Sequence, residues 1–370
     1  MGANAWSLGH RVPSGRFRSS GHLTGRTWSG SGRKGLEIGI GTQPTTVREL
    51  GEFALIERIT GGRVQGPGVV LGPGDDAAVL AGRGRYVVTT DMLVQDRHFR
   101  LDWSSPRDIG RKAIAQNAAD VYAMGAVPTG YVVALGCPAE TPVAFAEELA
   151  DGLWDEAGRA GGSIAGGDLV RSPQVVISVT AFGDPIGVEP VTRSGARAGG
   201  TVAVAGRLGR SAAGLAVLTA GRADEPEWAG AVAVHRVPRP PYAAVHAALA
   251  AGAAPDALTD VSDGLLADLG HIAAASGVAI DIDSAALRDT ELDDWAAALE
   301  VDALQWILTG GEDHAFVGVW PPGAPIPAGW TPIGGVSAGH GVTVDGGRWS
   351  GCGGWESFSG ADSADVGESR

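Results

Sequence analysis

From "TVRELGEFALIERIT" onward the apolar positions become periodic. Leu50, Phe53, Leu55, Ile56 and Ile59 recur at helical spacing and predict a helix with one buried face. "RYVVTTD" is β-branched and predicts a strand ending at Asp91. "SSPRDIGRKAIAQNAADVYAMGA" predicts a helix with Ser105 as N-cap and Pro106 in the first helical position, while Asp108 suits the positive helix end. "TGYVVALG" predicts a strand and "TPVAFAEELADGLWDEAGRAG" a helix stopped by Gly161. "SIAGGD", ending at Asp168, and "QVVISVTAFGD" predict two more strands.

A boundary is expected near "GDPIGVEPVTRSGARAGG". Beyond it "TVAVAG" predicts a strand and "RSAAGLAVLTAG" a helix, followed by two helices around a proline break in "PEWAGAVAVHRVPRPPYAAVHAALAAGA". "ALTDVSDGLLADLGHIAAASG" predicts a turn and then a helix, with Ser262 as N-cap and Gly277 as the stop. Leu265, Leu269 and Ile272 share one face of that helix. "VAIDID" and "HAFVGVW" are strand-like. Helices and strands alternate without a short repeat, so the expected class is α/β or α+β.

The length of 370 residues, 44% of them hydrophobic, allows two domains with cores of their own. Residues 1–46 are rich in Arg, Ser and Gly and nearly free of acid, and are expected to form a disordered extension outside the chemistry. Residues 359–370 read as a flexible tail. The net charge of −14 argues against a general nucleic-acid binder, although an acidic protein can hold phosphates through metal cations. The two cysteines, Cys137 and Cys352, form no CxxC pair, so the expectation is no disulfide framework, no structural zinc and a cytoplasmic location. No apolar run is long enough to span a membrane.

Acid is placed unusually. Asp75 and Asp76 run straight into apolar residues, and Asp120 lies in a helix that is apolar almost all round. Asp91, Asp168, Asp260 and Asp263 fall at expected element ends, where ligand sites form in α/β proteins. A buried carboxylate is costly unless it is paired or holds a metal. One such aspartate is most often a cap or a solvated turn residue. The set points instead to Mg²⁺, which bridges one or two carboxylates to substrate phosphates. Glycines beside acid in "AGGD", "SDG" and "TGGED" suit close backbone approach to a ligand. There is no GxxxxGK[ST], GxSxG or HExxH motif, and "VAVAGRLGRSAAG" departs from GxGxxG.

Together, "GPGDDAAVL", "VVTTDMLVQDRHF", "KAIAQNAADVYAMGAVP", "IAGGDLVRS", "VTRSGARAGG", "TDVSDGLLADL" and "TGGEDHAF" resemble the thiamine-monophosphate kinase family of the aminoimidazole ribonucleotide synthetase-like superfamily. The resemblance covers residues 48–357, with the motifs in the family's order. It implies direct phosphoryl transfer from ATP to thiamine monophosphate, giving thiamine diphosphate, with catalysis by positioning and charge neutralisation. It implies Mg²⁺ ligands at Asp76, Thr89, Thr90, Asp91, Asp120, Asp168, Asp260 and Asp263, with Asp91, Asp120 and Asp263 the catalytic core. Gly167, Asp168, Arg193 and Ser262 would bind ATP, and His98, Glu312 and Trp355 would bind thiamine monophosphate. His314 stands where the family commonly has Tyr.

The implied architecture is two α/β domains, 47–186 and 187–358. The N-terminal sheet domain would bind ATP and Mg²⁺ and pair with a second copy in a homodimer, with ATP in the cleft between the domains. Neither a nucleic acid nor a membrane partner is expected. The competing readings are another ATP-dependent synthetase of the superfamily and a non-catalytic nucleotide-binding protein. A selenophosphate synthetase would need a reactive residue before "GDDAAV", and a hydrogenase maturation factor a terminal Cys; the chain has neither.

Overall fold

The computed structural model describes residues 46–73, 77–82, 84–187 and 189–350. The expectations for Asp75, Asp76, Trp355 and both terminal segments lie outside these residues.

The first predicted helix is two helices, α1 (Val47–Leu50) and α2 (Glu52–Thr60). Thr46 and Glu49 form a capping box, and Gly51 at φ 84° ends α1 after one turn. That break resets the helical phase. Leu55 is fully buried, whereas Phe53 is 82% exposed instead of joining the predicted face. A short antiparallel ribbon follows, β1 (Val69–Leu71) with β2 (Val79–Leu80).

The next elements are β3 (Val87–Val94), α3 (Pro106–Ala123), β4 (Ala126–Cys137), α4 (Val143–Ala160), β5 (Ile164–Arg171) and β6 (Val176–Pro185). The strands form a sheet in the order β3-β6-β4-β5, with only β4 and β5 parallel. Leu93, Ile177, Leu135 and Leu169 lie in one buried row across it. Because side chains alternate, the other face presents Val88, Met92 and Val170, each more than half exposed. α3 starts as expected, with Ser105 accepting the Asp108 N–H and Pro106 in the first turn.

The remainder contains β7 (Thr201–Ala205), α5 (Arg210–Thr219), α6 (Ala229–Arg236), α7 (Tyr242–Ala250), β8 (Ala257–Val261), α8 (Leu265–Ser276), β9 (Val278–Ile282), α9 (Thr290–Ala298), α10 (Ala303–Thr309), β10 (Ala315–Trp320), β11 (Thr331–Ala338) and β12 (Gly341–Val344). The sheet order is β12-β9-β11-β7-β10-β8. One face, through Ala203, Ala205, Leu258 and Phe316, shares a core with α3 and α7. The opposite face, through Val202, Val204, Val261 and Val317, packs with Leu265, Leu269 and Ile272 of α8. Burying each of these large side chains stabilises the fold by about 1.5–3 kcal/mol. The fold is thus α/β of the α+β kind, with α3 lying against strands of both sheets.

Three expectations change. Asp91 and Asp168 lie inside β3 and β5 rather than at their ends, because the buried alternation continues through Leu93 and Leu169. "ALTDV" is a fully buried strand, not a turn, because it fills the sheet edge beside β10. Ser262 is not the N-cap of α8. Gly264 holds that position at φ 115°, with no side-chain cap, and a Cβ there would lie 2.9 Å from the Thr309 backbone.

Candidate active site

The acids of α3, β3 and β8 meet where the two sheets share α3. Thr89 and Asp91 lie on the inner face of β3, and the Thr89 hydroxyl donates to Asp120 Oδ2 at 2.7 Å. The Asp91 N–H donates to Asn117 Oδ1 at 3.0 Å, and Asn117 is anchored on the Ala113 carbonyl. From β8, Asp260 is 2% exposed and pairs with His314 Nδ1 at 2.9 Å.

These carboxylates repel one another. Burial, then the charges of Asp260 and Asp91, pushes the Asp120 pKa up to about 7. Burial also raises Asp91, with Asp260 adding to it and His314 opposing. Burial raises Asp263, again with Asp260 contributing. For His314 burial is the largest influence and acts downward, but the bond and charge of Asp260 outweigh it and raise the pKa. His314, placed where Tyr was expected to be common, therefore stands inside the acid cluster with its charged form favoured.

Two loops are clamped together at the end of β8. Glu312 N–H donates to the Ser262 carbonyl at 2.8 Å and His314 N–H to the Val261 carbonyl at 2.9 Å. Glu312 and His314 both have left-handed backbone, at φ 62° and 50°. Such non-glycine conformations persist where the surroundings over-determine them. The three side chains of this loop diverge. Glu312 reaches Lys112, Asp313 accepts the Gly209 and Ser211 N–H groups at the start of α5, and His314 holds Asp260. In α8, buried Asp268 accepts the Asp263 N–H at 3.1 Å, and its Oδ1 has no partner among the described residues.

Next to the acids is a second polar group. Lys112 Nζ donates to Glu312 at 2.9 Å and to the His98 carbonyl at 2.9 Å. His98 Nδ1 accepts the Val94 N–H at 3.0 Å, so the ring proton sits on Nε2. Desolvation, helped by the Lys112 charge, holds the His98 pKa below its ordinary value. His235, beside Glu312, is pushed down to about 4 by burial and then by Lys112, so it is neutral. Glu312 is lowered overall: burial, the largest influence, acts upward, and the charge and hydrogen bond of Lys112 oppose it.

Asp168, Gly167, Thr90 and Arg193 stand apart in different ways. Thr90 is on the outer face of the sheet and its hydroxyl donates to the Val179 carbonyl, so only Thr89 of the pair has its side chain with Asp91. Asp168 is exposed on β5, three strands from Asp91, or about 14 Å at ordinary strand spacing. A Cβ on Gly167 would lie 2.0 Å from the Val133 carbonyl oxygen, so its glycine is required by strand packing. Arg193 is exposed, with Nε 3.3 Å from the Thr259 hydroxyl, beside Asp260 in β8. The sequence reading missed Lys112, Asn117, His235 and Asp268. A signal existed for the first: Lys112, Gln116 and Asp120 repeat every four residues as a polar stripe along one face of the helix.

Among the described residues no three acid, imidazole or thiol groups converge closely enough to cage an ion by themselves. Mg²⁺ asks for less, since it keeps waters and takes one or two carboxylates with substrate phosphates. Repelling, part-buried Asp91 and Asp120 with the Thr89 hydroxyl fit that donor chemistry.

The AIR synthase related protein family matches in both its parts, the N-terminal domain over residues 74–184 and the C-terminal domain over 197–318. A thiamine-monophosphate kinase of Mycobacterium tuberculosis (strain CDC 1551 / Oshkosh) is 56% identical over 328 residues, 87% of this chain and 96% of that protein. One from Corynebacterium glutamicum is 43% identical over 323 residues, 85% of this chain and 95% of that protein. The solved structure "AaThiL complexed with AMPPCP and TMP" superposes with a TM-score of 0.69 at 31% identity, covering 84% of this chain and 98% of that one.

Proposed function

From the premise that this chain belongs to the thiamine-monophosphate kinase family, we infer that it transfers the terminal phosphoryl group of ATP to thiamine monophosphate, yielding thiamine diphosphate and ADP. The observation that carries the reading is the meeting of Thr89, Asp91 and Asp120 with Asp260 and His314 at the α3 contact between the two sheets. The reacting groups are all anionic and the acceptor is itself a phosphate. No side-chain nucleophile is needed, and catalysis reduces to alignment and charge stabilisation.

Mg²⁺ would be held by Asp91, Asp120 and Thr89, with Asp260 and Asp263 completing the shell from the other sheet; Asp76 is assigned by the family pattern alone. When bound, the metal neutralises the charge that develops on the transferred phosphoryl oxygens. The chain's own residues do the positioning. Arg193 presents a guanidinium fork suited to a phosphate. His98 offers Nε2–H as a neutral donor to the acceptor phosphate, because its other nitrogen is occupied by Val94. Glu312, one third exposed, faces the acceptor's ring system. Ser262 is fixed by its carbonyl, which leaves its hydroxyl for ATP.

The boundary between the two halves is assigned at residues 186 and 187, because each half carries its own sheet and its own family match. A homodimer formed through the first sheet accounts for two observations. The outer face exposes Val88, Met92 and Val170, and among the described residues the edges of β3 and β5 pair with no further strand. Closing such edges between two copies would set β5 of one beside β3 of the other, the arrangement by which Asp168 would join the nucleotide site. A cytoplasmic location is proposed from the cysteine usage, and no helix among the described residues is long and apolar enough to cross a membrane.

Purified protein incubated with ATP and thiamine monophosphate, with and without Mg²⁺, tests the reading. Thiamine diphosphate and ADP are expected in equal amounts, and only with the metal. ATP binding without thiamine diphosphate would overturn it.

A further inference from the structure

A lysine on the buried side of a helix is costly unless its ammonium is fully paired. Lys112 is 2% exposed, on the buried side of α3 with Ile109, Ala113 and Ala115 close by in the helix. Its Nζ has partners on two separate loops. One is the His98 carbonyl, between β3 and α3, at 2.9 Å. The other is the Glu312 carboxylate, 200 residues away in sequence, with both oxygens at 2.9–3.0 Å. The two loops touch the two residues assigned above to the acceptor, and α3 is the rigid element between them.

Each loop needs such a support. Glu312 has left-handed backbone, which a non-glycine residue keeps only when its surroundings hold it. His98 is exposed at the end of a short turn, with its ring nitrogen tied to Val94 N–H. His235, the other side chain against Glu312, is neutral and 3.7 Å away, and it contacts Ser211 as well. Lys112 is therefore the group that both neutralises Glu312 and sets its distance from the His98 loop.

We propose that Lys112 is the positioning residue of the acceptor half of the site: it fixes Glu312 and the His98 loop relative to one another, and so determines the affinity for thiamine monophosphate without acting on ATP or metal. The inference rests on the kinase reading, in which His98 and Glu312 face the acceptor. Lys112 itself is buried and touches no reacting atom.

The test uses the full chain and the variants K112M, E312Q and K112M/E312Q. Steady-state KM values are measured for both substrates, and calorimetry gives the Kd for thiamine monophosphate without ATP. K112M is expected to raise the KM and Kd for thiamine monophosphate about tenfold or more, and the KM for ATP and the Mg²⁺ requirement to stay within about twofold. The double variant is expected to lose less than the sum of the two single losses, because both act through one contact. Equal loss for ATP and thiamine monophosphate, no change in either, or strictly additive losses would overturn the proposal. Should K112M fail to fold with Glu312 left unpaired, the comparison of K112M/E312Q, which buries no lone charge, with the wild type decides by the same substrate split. Wild-type turnover is read first. A wild type that makes no thiamine diphosphate defeats the kinase reading, whereas an active wild type with no such split in the variants defeats only the role of Lys112.

Discussion

Asp120 works against the fold that contains it. A carboxyl whose folded pKa lies above its unfolded value favours the folded state while protonated. Its contribution is therefore present below about pH 4 and lost as the pH rises to about 7, the value to which burial, Asp260 and Asp91 push it. At pH 8 without metal, D120N should melt at a higher temperature than the wild type, since it removes a repelling charge and keeps an acceptor for the Thr89 hydroxyl. The same change should lower turnover about a hundredfold or more, as should D91N. Added Mg²⁺ should raise the wild-type melting temperature more than that of D120N. A scan of melting against metal, run beside the kinase assay, checks all three; full activity in either variant would remove the acids from the mechanism.

At the scale of elements, the "GGEDH" segment joins three parts of the site. Asp313 serves α5, whose first amides would otherwise be buried without partners. Burial, the main influence, pushes Asp313 up to about 7 against those hydrogen bonds, so what α5 requires is chiefly an acceptor. D313A should lower the urea unfolding free energy by about 1–3 kcal/mol, and D313N by less, because its amide oxygen still accepts one N–H. Equal stability of D313A and wild type would show that α5 needs no cap. The strain of the flanking residues belongs to the same unit. Glu312 and His314 sit at positive φ, and that backbone is what aims two neighbouring side chains at Lys112 and at Asp260.

For the whole molecule, the expectation is a dimer closed over the outer face of the first sheet. Met92, 53% exposed there, would be buried by the second copy. M92E should convert a sedimenting dimer to a monomer, since an unpaired carboxylate in an apolar interface is costly. If Asp168 acts across the interface, the monomer should also lose kinase activity while keeping its melting temperature. A wild-type chain that sediments as a monomer at assay concentration would end this account and leave Asp168 without a role in the nucleotide site.

Much of this was legible in the chain. Periodicity gave the helices α3, α4, α5 and α8 and the strands β6 and β9, while β7 and β10, buried on both faces, showed as short runs rich in Val and Ala. Caps with their own chemistry, such as Ser105 and Gly277, were legible for the same local reason. β11 and β12 were not anticipated, since Gly-rich "TPIGGVSA" has little β pattern and is held as strand by its neighbours β7 and β9. Ser262 looked like a cap because the sequence cannot show that β8 runs up to Val261. The acids stood out by type, and their motifs named a family; that much the sequence determined by itself. Only the tertiary structure decided which acids meet, that Thr89 but not Thr90 faces Asp120, that Asp168 lies away from Asp91 within one chain, and that Lys112 ties His98 to Glu312. Those are contacts between residues far apart in sequence, and they depend on strand order, face and register, which no local pattern fixes.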